Sequence, residues 1–206
     1  MPRDKSATHE RLIPIIKAEF LEFGYEKASL QHIASQAGIT AAGLYRHFPG
    51  KEAMFSSLVE PTLKDFLEFW DNSISDAIHM MNEKNFPEAF QEFRQRNNRD
   101  LMNFVYDNYD ALKLLLTKAR GTRYENFEEE IVEKEVETIK SFFKILDKKG
   151  IEHSHVKENE MHILSTTLIA AITEAVKHDY TRKQALKHLD FVSRLLTPGI
   201  KDILGF

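Results

Sequence analysis

The chain has 206 residues, of which 42% are hydrophobic and 29% charged, a balance typical of a globular protein with a buried core. It contains no cysteine, which excludes disulfides, thiolate metal sites and thiol catalysis. No stretch approaches the ~20 apolar residues that a membrane-spanning helix needs, and the first residues do not lead into an apolar run of signal-peptide type. We therefore expect a cytoplasmic protein that has no membrane partner.

The net charge of −4 is unevenly distributed along the chain. Residues 1–52 hold seven Lys or Arg against six Asp or Glu, and the remaining residues hold 21 against 26. Only the N-terminal part is therefore suited to face phosphates, whereas the acidic remainder would be held away from them. This distribution permits nucleic-acid binding but does not demand it.

The first predicted helix has apolar residues at the three- to four-residue spacing of one helix face. They are Leu12, Ile16, Phe20 and Phe23. Gly24 is a suitable end for this helix, because glycine tolerates the left-handed backbone conformation found at helix C-termini.

Two further short helices follow. Ser29 is suited as the N-cap of a helix over residues 30–37, and Thr40 as the N-cap of a helix over residues 41–47. Gly38 lies between them and predicts a tight turn. The first 50 residues thus predict three short helices.

The rest of the chain has the periodicity of long helices. Breaks are predicted near residues 82–86, near residue 121 and over 149–155, and the final two helices over 158–178 and 183–197. No strand-like alternation of useful length is present. The sequence therefore predicts an all-α fold, in which a three-helix domain is followed by a helical bundle.

Three prolines fall within or beside these helices. Pro14 lies inside the first helical pattern and Pro61 inside the fourth. An interior proline costs about 3 kcal/mol and usually kinks or splits a helix, so each of these helices bends or restarts there. Pro198-Gly199 predicts the end of the last long helix, followed by a short C-terminal turn or helix.

Residues 29–48 have the pattern of a helix-turn-helix. Ile33, Ala34 and Ala37 give its first helix a small apolar face, and Ile39 and Leu44 bury the second helix against it. Small residues on the exposed side let the backbone approach bases, and hydroxyl, imidazole and cationic groups hold phosphates. The residues left on or near that side are Thr40, Ala41, Ala42, Gly43, Tyr45, Arg46 and His47.

This region closely resembles the DNA-binding domain of the TetR family of bacterial transcriptional regulators. The matching positions are Phe23-Gly24-Tyr25, Ser29, Ile33-Ala34, Ala37-Gly38-Ile39-Thr40, Gly43-Leu44-Tyr45, His47-Phe48 and Lys51-Glu52. The resemblance spans roughly residues 8–60 with its spacing kept throughout.

The resemblance implies roles for individual residues on a surface that also includes Ser29. The implied phosphate contacts are Thr40, Tyr45, His47 and Lys51. The positions that can reach base edges are Gln31, Ala41, Ala42, Gly43 and Arg46. Glutamine can bind adenine through two hydrogen bonds, and alanine methyls can pack on thymine methyls. Arg46 has the alternative role of a phosphate clamp without sequence preference.

The resemblance also implies the organisation and function of the whole chain. Residues 1–52 would form the helix-turn-helix domain, and residues 53–206 the effector-binding and dimerisation domain. The expected protein is a homodimeric repressor on double-stranded DNA with an inverted-repeat operator, released by a largely apolar small-molecule effector. The alternative is a constitutive DNA-binding or architectural protein without a ligand. Neither needs a cofactor.

The second half is rich in aromatic residues, and ten of the fifteen phenylalanines lie between residues 53 and 150. Such a helical bundle can line an apolar pocket or can simply pack a core. The candidate pocket residues are Phe66, Trp70, Phe90, Phe104, Tyr109, Phe127 and Phe143.

The final two helices carry apolar stripes suited to pairing with a second copy of the chain. The candidate interface residues are Leu164, Leu168, Ala171, Ala175, Leu189, Val192 and Leu196. The alternative is a monomeric bundle that uses both stripes internally.

Metal binding and catalysis find little support in the sequence. His153 and His155 follow a Lys-Lys-Gly turn, where polar residues are expected, and their spacing is not that of a metal-ligand motif. The chain also lacks a Gly-x-Ser-x-Gly elbow and a phosphate-cradling glycine loop. We therefore predict no metal site and no enzyme.

Overall fold

The computed structural model of the protein describes residues 5–81 and 86–204. All regular structure within these two ranges is α-helical, which confirms the predicted fold class. The helices are α1 (Lys5–Lys27), α2 (Leu30–Gln36), α3 (Ala41–Tyr45), α4 (Lys51–Met80), α5 (Phe86–Asp107), α6 (Tyr109–Thr117), α7 (Phe127–Lys149), α8 (Glu158–Lys177) and α9 (Arg182–Leu204). Most of the break predicted at 82–86 lies outside the described residues.

The chain forms two compact units. The first extends to Asp65 and also includes Asn108–Asn126, whereas the second comprises Phe66–Asp107 and the residues from Phe127 onward. The first unit thus takes in more of the chain than residues 1–52, because the N-terminal part of α4, all of α6 and the segment after it pack with α1–α3. The division of roles between residues 1–52 and 53–206 stays a prediction.

The core of the first unit is built on α1, which packs against α2 and α6. Leu12, Ile16 and Phe20 are at most 1% exposed, as the spacing predicts. The ring of Phe20 meets the edge of the Phe55 ring, with a centroid separation of 5.3 Å. The prediction is wrong for Phe23, which is 42% exposed, because the regular part of α1 ends directly after it.

The backbone of Gly24 interrupts α1 near its C-terminus. Gly24 has φ 73° and ψ 169°, a conformation that side-chain-bearing residues avoid. The chain turns there, and the next amide, that of Tyr25, donates to the carbonyl of Lys118 at 2.9 Å. The predicted helix stop is confirmed, and it joins α1 to the segment after α6.

The three prolines lie inside continuous helices. Pro14 is part of α1, Pro61 of α4 and Pro198 of α9, so the last helix continues to Leu204 and the stop predicted at Pro198-Gly199 is wrong. All three proline side chains are exposed. At an exposed position water can replace the helical N–H donor that a proline lacks, which lowers the cost of keeping the helix intact.

The second unit is a bundle in which α7 packs on α8, α5 on α9, and α8 on α9. Its larger apolar cluster centres on Phe90, Phe143 and Leu146, and a smaller one on Met102 and Ala175. Two clusters separated in this way leave room for a cavity.

Gly38, between α2 and α3, provides a test of the helix-turn-helix geometry. Its φ is +67°, and an added Cβ would meet no atom within 4 Å, so replacement strains only the backbone. We expect Gly38→Ala to lower the free energy of unfolding by about 1 kcal/mol, measured by urea denaturation at fixed protein concentration. Gly50→Ala is the matched control, because Gly50 has the same open space without a positive φ. Equal losses in the two variants would contradict the assigned turn.

Candidate nucleic-acid interface and ligand cavity

Both short helices of the helix-turn-helix begin with the predicted side-chain caps. The hydroxyl of Ser29 accepts a hydrogen bond from the amide of His32 at 3.3 Å, and that of Thr40 from the amide of Gly43 at 3.1 Å. Such caps satisfy amides that have no partner within the helix. The hydroxyls of Ser29 and Thr40 thus have a structural role beside any contact to DNA.

A buried carboxylate on α1 fixes the start of α2. Glu19 is 6% exposed. One of its oxygens accepts the backbone amide of Ser29 at 2.7 Å, and the other lies 2.6 Å from Nδ1 of His32. Sequence reasoning missed Glu19. The available signal was position, since Glu19 lies between Ile16 and Phe20 on the buried face.

Apolar contacts hold the two helices together. Ile33 and Leu44 are fully buried, Ala34 and Ala37 nearly so, and Ile39 is half-buried in the turn. These are the residues that the sequence predicts for this role. The opposite side of α3 is therefore presented to solvent.

The predicted DNA-contacting residues lie on that exposed side or beside it. Tyr45 is 51% exposed. Gly43 and His47 are half-buried. The other exposed members of the set are Ser29, Gln31, Thr40, Ala41, Ala42 and Arg46. They form a surface of small, hydroxyl and cationic groups.

Lys51, at the start of α4, is engaged within the protein. Its Nζ donates to the carbonyl of Glu26 at 3.1 Å and lies 5.0 Å from the centre of the Tyr25 ring. Burial lowers the pKa of Lys51, and the carboxylates of Glu19 and Glu26 partly oppose this shift. The ammonium thus joins the start of α4 to the end of α1, and a phosphate would have to share it.

The second unit contains a partly open cavity of about 250 Å³. Residues from α4, α5, α7, α8 and α9 surround it. Its aromatic lining residues are Phe69, Trp70, Phe90, Phe93, Phe142 and Phe143. The indole of Trp70 donates to Oγ1 of Thr138 at 3.3 Å, which fixes the ring at the cavity wall.

The cavity includes only part of the predicted pocket. Trp70, Phe90 and Phe143 line it, but four other predicted residues lie elsewhere. Those four are Phe66, Phe104 and Phe127, whose rings pack on one another, and Tyr109, which belongs to the first unit. The prediction fails for these four because aromatic composition does not say which rings pack together and which face a void.

Two oppositely charged residues also line the cavity, and sequence reasoning missed both. Arg94 on α5 and Glu135 on α7 are half-buried. Burial lowers the pKa of Arg94, an effect that Glu135 partly opposes. Burial raises the pKa of Glu135 to about 7, although the charge of Arg94 opposes this shift. A sequence signal existed, since Glu135 lies four residues from both Ile131 and Ile139, on the apolar stripe of α7.

Two of the seven residues predicted for the dimer interface are buried within a single chain. Ala175 and Leu189 are buried, so the prediction is wrong for these two. The remaining five also line the cavity and are half-buried; they are Leu164, Leu168, Ala171, Val192 and Leu196. The large apolar residues that α8 and α9 expose are Ile163 at 64%, Phe191 at 57% and Leu195 at 65%. Periodicity located a stripe on each helix but not the direction in which it points.

The described ranges contain neither a cluster of metal-ligating side chains nor a membrane-spanning helix. Among residues 5–81 and 86–204 no three His, Asp or Glu side chains come together as a metal site would require. His153 lies beside Asp147 at 3.1 Å and packs on the ring of Phe143. No helix in those ranges is long and apolar enough to span a membrane.

The N-terminal region matches a known family. Residues 16–58 match the model of the bacterial regulatory proteins of the tetR family. A 68-residue stretch is 32% identical to the HTH-type transcriptional repressor KstR2 of Mycolicibacterium smegmatis. That match covers 33% of this chain and 31% of the repressor, so the sequence similarity is limited to about a third of each protein.

Solved structures extend the likeness in fold to most of the chain. The probable transcriptional regulatory protein RHA5900 superimposes with a TM-score of 0.57 at 18% identity, covering 89% of this chain and 96% of that one. The fatty acid degradation regulator FadR of Bacillus halodurans gives 0.53 at 16% identity, over 88% and 91% of the two chains. Residues 16–58 are thus similar in sequence to the bacterial regulatory proteins of the tetR family, and most of the chain has the fold of these solved structures.

Proposed function

We propose that the protein is a dimeric transcriptional repressor that binds an inverted-repeat operator and is released from it by a small, largely apolar effector. The observation that carries this proposal is the coexistence of two features in one chain. One is the exposed side of α3, whose first turn is capped by Thr40, and the other is the cavity in the second unit.

The DNA contacts are proposed from exposure and chemistry. Gln31 and Arg46 are exposed polar side chains able to reach base edges, and Ala41, Ala42 and Gly43 let the backbone approach the groove. The hydroxyls of Thr40 and Tyr45, with His47 and Lys51, are suited to phosphates. These roles rest on the accessible side of α3 and on the family pattern.

The dimer interface is proposed on the outer side of α8 and α9. These helices pack as an antiparallel hairpin, so Ile163 and Leu195 lie at a similar distance from the turn that joins them. Exposed Thr166 and Thr167 accompany Ile163 on α8, and Phe191 accompanies Leu195 on α9. Exposed large apolar side chains on adjacent helices are typical of an interaction surface, and a second copy would bury the same patch on both chains.

Effector release is proposed to act through α4. This helix begins with Lys51 in the first unit and contributes Phe69 and Trp70 to the cavity lining. A ligand that favours one position of α4 can therefore change the affinity for DNA, provided that it binds the DNA-incompetent state better. The cavity favours this mechanism over a constitutive DNA-binding protein, whose bundle would need no interior space.

The DNA-binding proposal is tested by selecting bound duplexes from a random library and measuring affinity by fluorescence anisotropy. We expect an inverted repeat, with half-sites one helical turn or a multiple of it apart, and an affinity that falls steeply with salt. Gln31→Ala is expected to relax the preference at one base pair of each half-site, at a cost of about 1–3 kcal/mol there. Tyr45→Phe is the control, because loss of a phosphate contact weakens all sequences alike. A uniform loss in Gln31→Ala would remove Gln31 from the base-reading residues.

The dimer proposal is tested by sedimentation velocity at micromolar concentration. We expect the wild-type protein to be a dimer and Leu195→Asp to be a folded monomer, because the interface would otherwise bury an unpaired charge. Leu67→Asp is the matched control, since Leu67 is an exposed leucine of α4 outside the α8–α9 surface. A dimeric Leu195→Asp variant would contradict the proposed interface.

A further inference from the structure

We propose that the cavity binds a small, mainly apolar molecule with a single carboxylate, which the Arg94 guanidinium holds while the Glu135 carboxyl donates a hydrogen bond to it. This inference rests on the proposed function, because it names the ligand class of the same cavity.

Arg94 provides the first argument. It is half-buried, lines the cavity, and forms no ion pair or hydrogen bond with another described residue. Arginine remains charged in proteins, and a desolvated cation is costly when its charge is only partly balanced, as that of Arg94 is by Glu135. The open donors of this guanidinium therefore suit an anion that enters with the ligand. A carboxylate matches their geometry, because its two oxygens can accept two parallel hydrogen bonds.

Glu135 provides the second argument. Because burial raises its pKa to about 7, a substantial fraction of its carboxyl is protonated at neutral pH. A protonated carboxyl is a hydrogen-bond donor. The pair therefore offers a ligand carboxylate one permanent cation and one neutral donor. A cationic ligand would instead meet the charge of Arg94.

Among the described residues, the other helices that line the cavity add no charged side chain to this pair. In the described lining, α4, α8 and α9 contribute no titratable side chain, and Arg94 and Glu135 are the titratable residues from α5 and α7. Two amides, Asn97 and Asn98, and the hydroxyl of Ser73 supply further polar atoms. The site is thus a mainly apolar space that contains one cation, one carboxyl and several neutral polar groups.

The size of the cavity limits the apolar part of the ligand. Ligand pockets usually measure about 300–1,000 Å³, and this one measures about 250 Å³. Aromatic rings from α4, α5 and α7 form much of its wall. A medium-chain or compact aromatic acid fits this space better than a large polycyclic compound.

Binding should depend on pH in a defined direction. A bound carboxylate favours the protonated form of Glu135, so the pKa of Glu135 rises further and a proton is taken up. Affinity is therefore expected to fall as pH rises from about 6 to 8, where the free protein loses that proton. Glu135→Gln keeps a hydrogen-bond donor but cannot titrate, so its affinity should change little over this range.

The experiment uses Trp70, the single tryptophan of the chain, as a fluorescent reporter in the cavity wall, with calorimetry as a second measurement. Octanoate, decanoate, 4-phenylbutyrate and 2-naphthoate are each compared with the amide of the same skeleton. We expect at least one carboxylate to bind roughly tenfold or more tightly than its amide at pH 6.5, as a hydrogen bond to a charged group implies. Arg94→Gln should reduce this preference below about twofold. Arg96→Gln is the matched control, because Arg96 is exposed on the same helix and lies outside the cavity lining.

Three outcomes overturn the inference. They are amides that bind as well as carboxylates, a carboxylate preference that survives Arg94→Gln in a folded variant, and the absence of binding by every compound tested. None of these outcomes affects binding of the ligand-free protein to its selected operator, so the DNA-binding proposal fails or stands by a separate measurement.

Discussion

The arrangement of the helix-turn-helix depends on one buried carboxylate. Glu19 is removed from water, and the cost is offset only because the amide of Ser29 and the imidazole of His32 both meet it. That pairing fixes where α2 begins relative to α1. The burial of Leu44 then fixes α3 relative to α2. The orientation of α3, and with it the side that α3 exposes, thus depends on a polar contact between α1 and the start of α2.

The second unit also holds charged side chains away from water, and no close ion pair between described residues balances them. Arg94 and Glu135 are both desolvated, but they do not approach each other as an ion pair. A chain selected only for stability would place apolar residues at these positions. Charge held in an apolar interior without a close partner is typical of sites that bind something. These two residues are the reason why we propose that the cavity is a binding site.

Helices α8 and α9 serve two surfaces at once. Their inner stripes close the cavity and the core, with Leu189 as a buried example, whereas the outer positions leave Phe191 and Leu195 exposed. A helix with two apolar stripes buries one against its own chain and presents the other to solvent or to a partner. The cavity and the outer patch therefore share the same pair of helices, so the proposed ligand and the proposed dimer partner would contact the same two helices.

The sequence by itself determined the all-α fold, the caps at Ser29 and Thr40, the stop at Gly24 and the residues exposed on α3. These features are local, because each depends on spacing, capping chemistry or backbone freedom within a few residues. Only the packing of the helices decided that Ala175 and Leu189 face inward, that Phe66 and Phe127 pack together while Trp70 faces the cavity, and that Arg94 and Glu135 both line it. Periodicity identifies an apolar stripe on a helix, but the direction in which the stripe points depends on helices that are distant in the chain. A cavity forms only where the side chains of all these helices leave space between them.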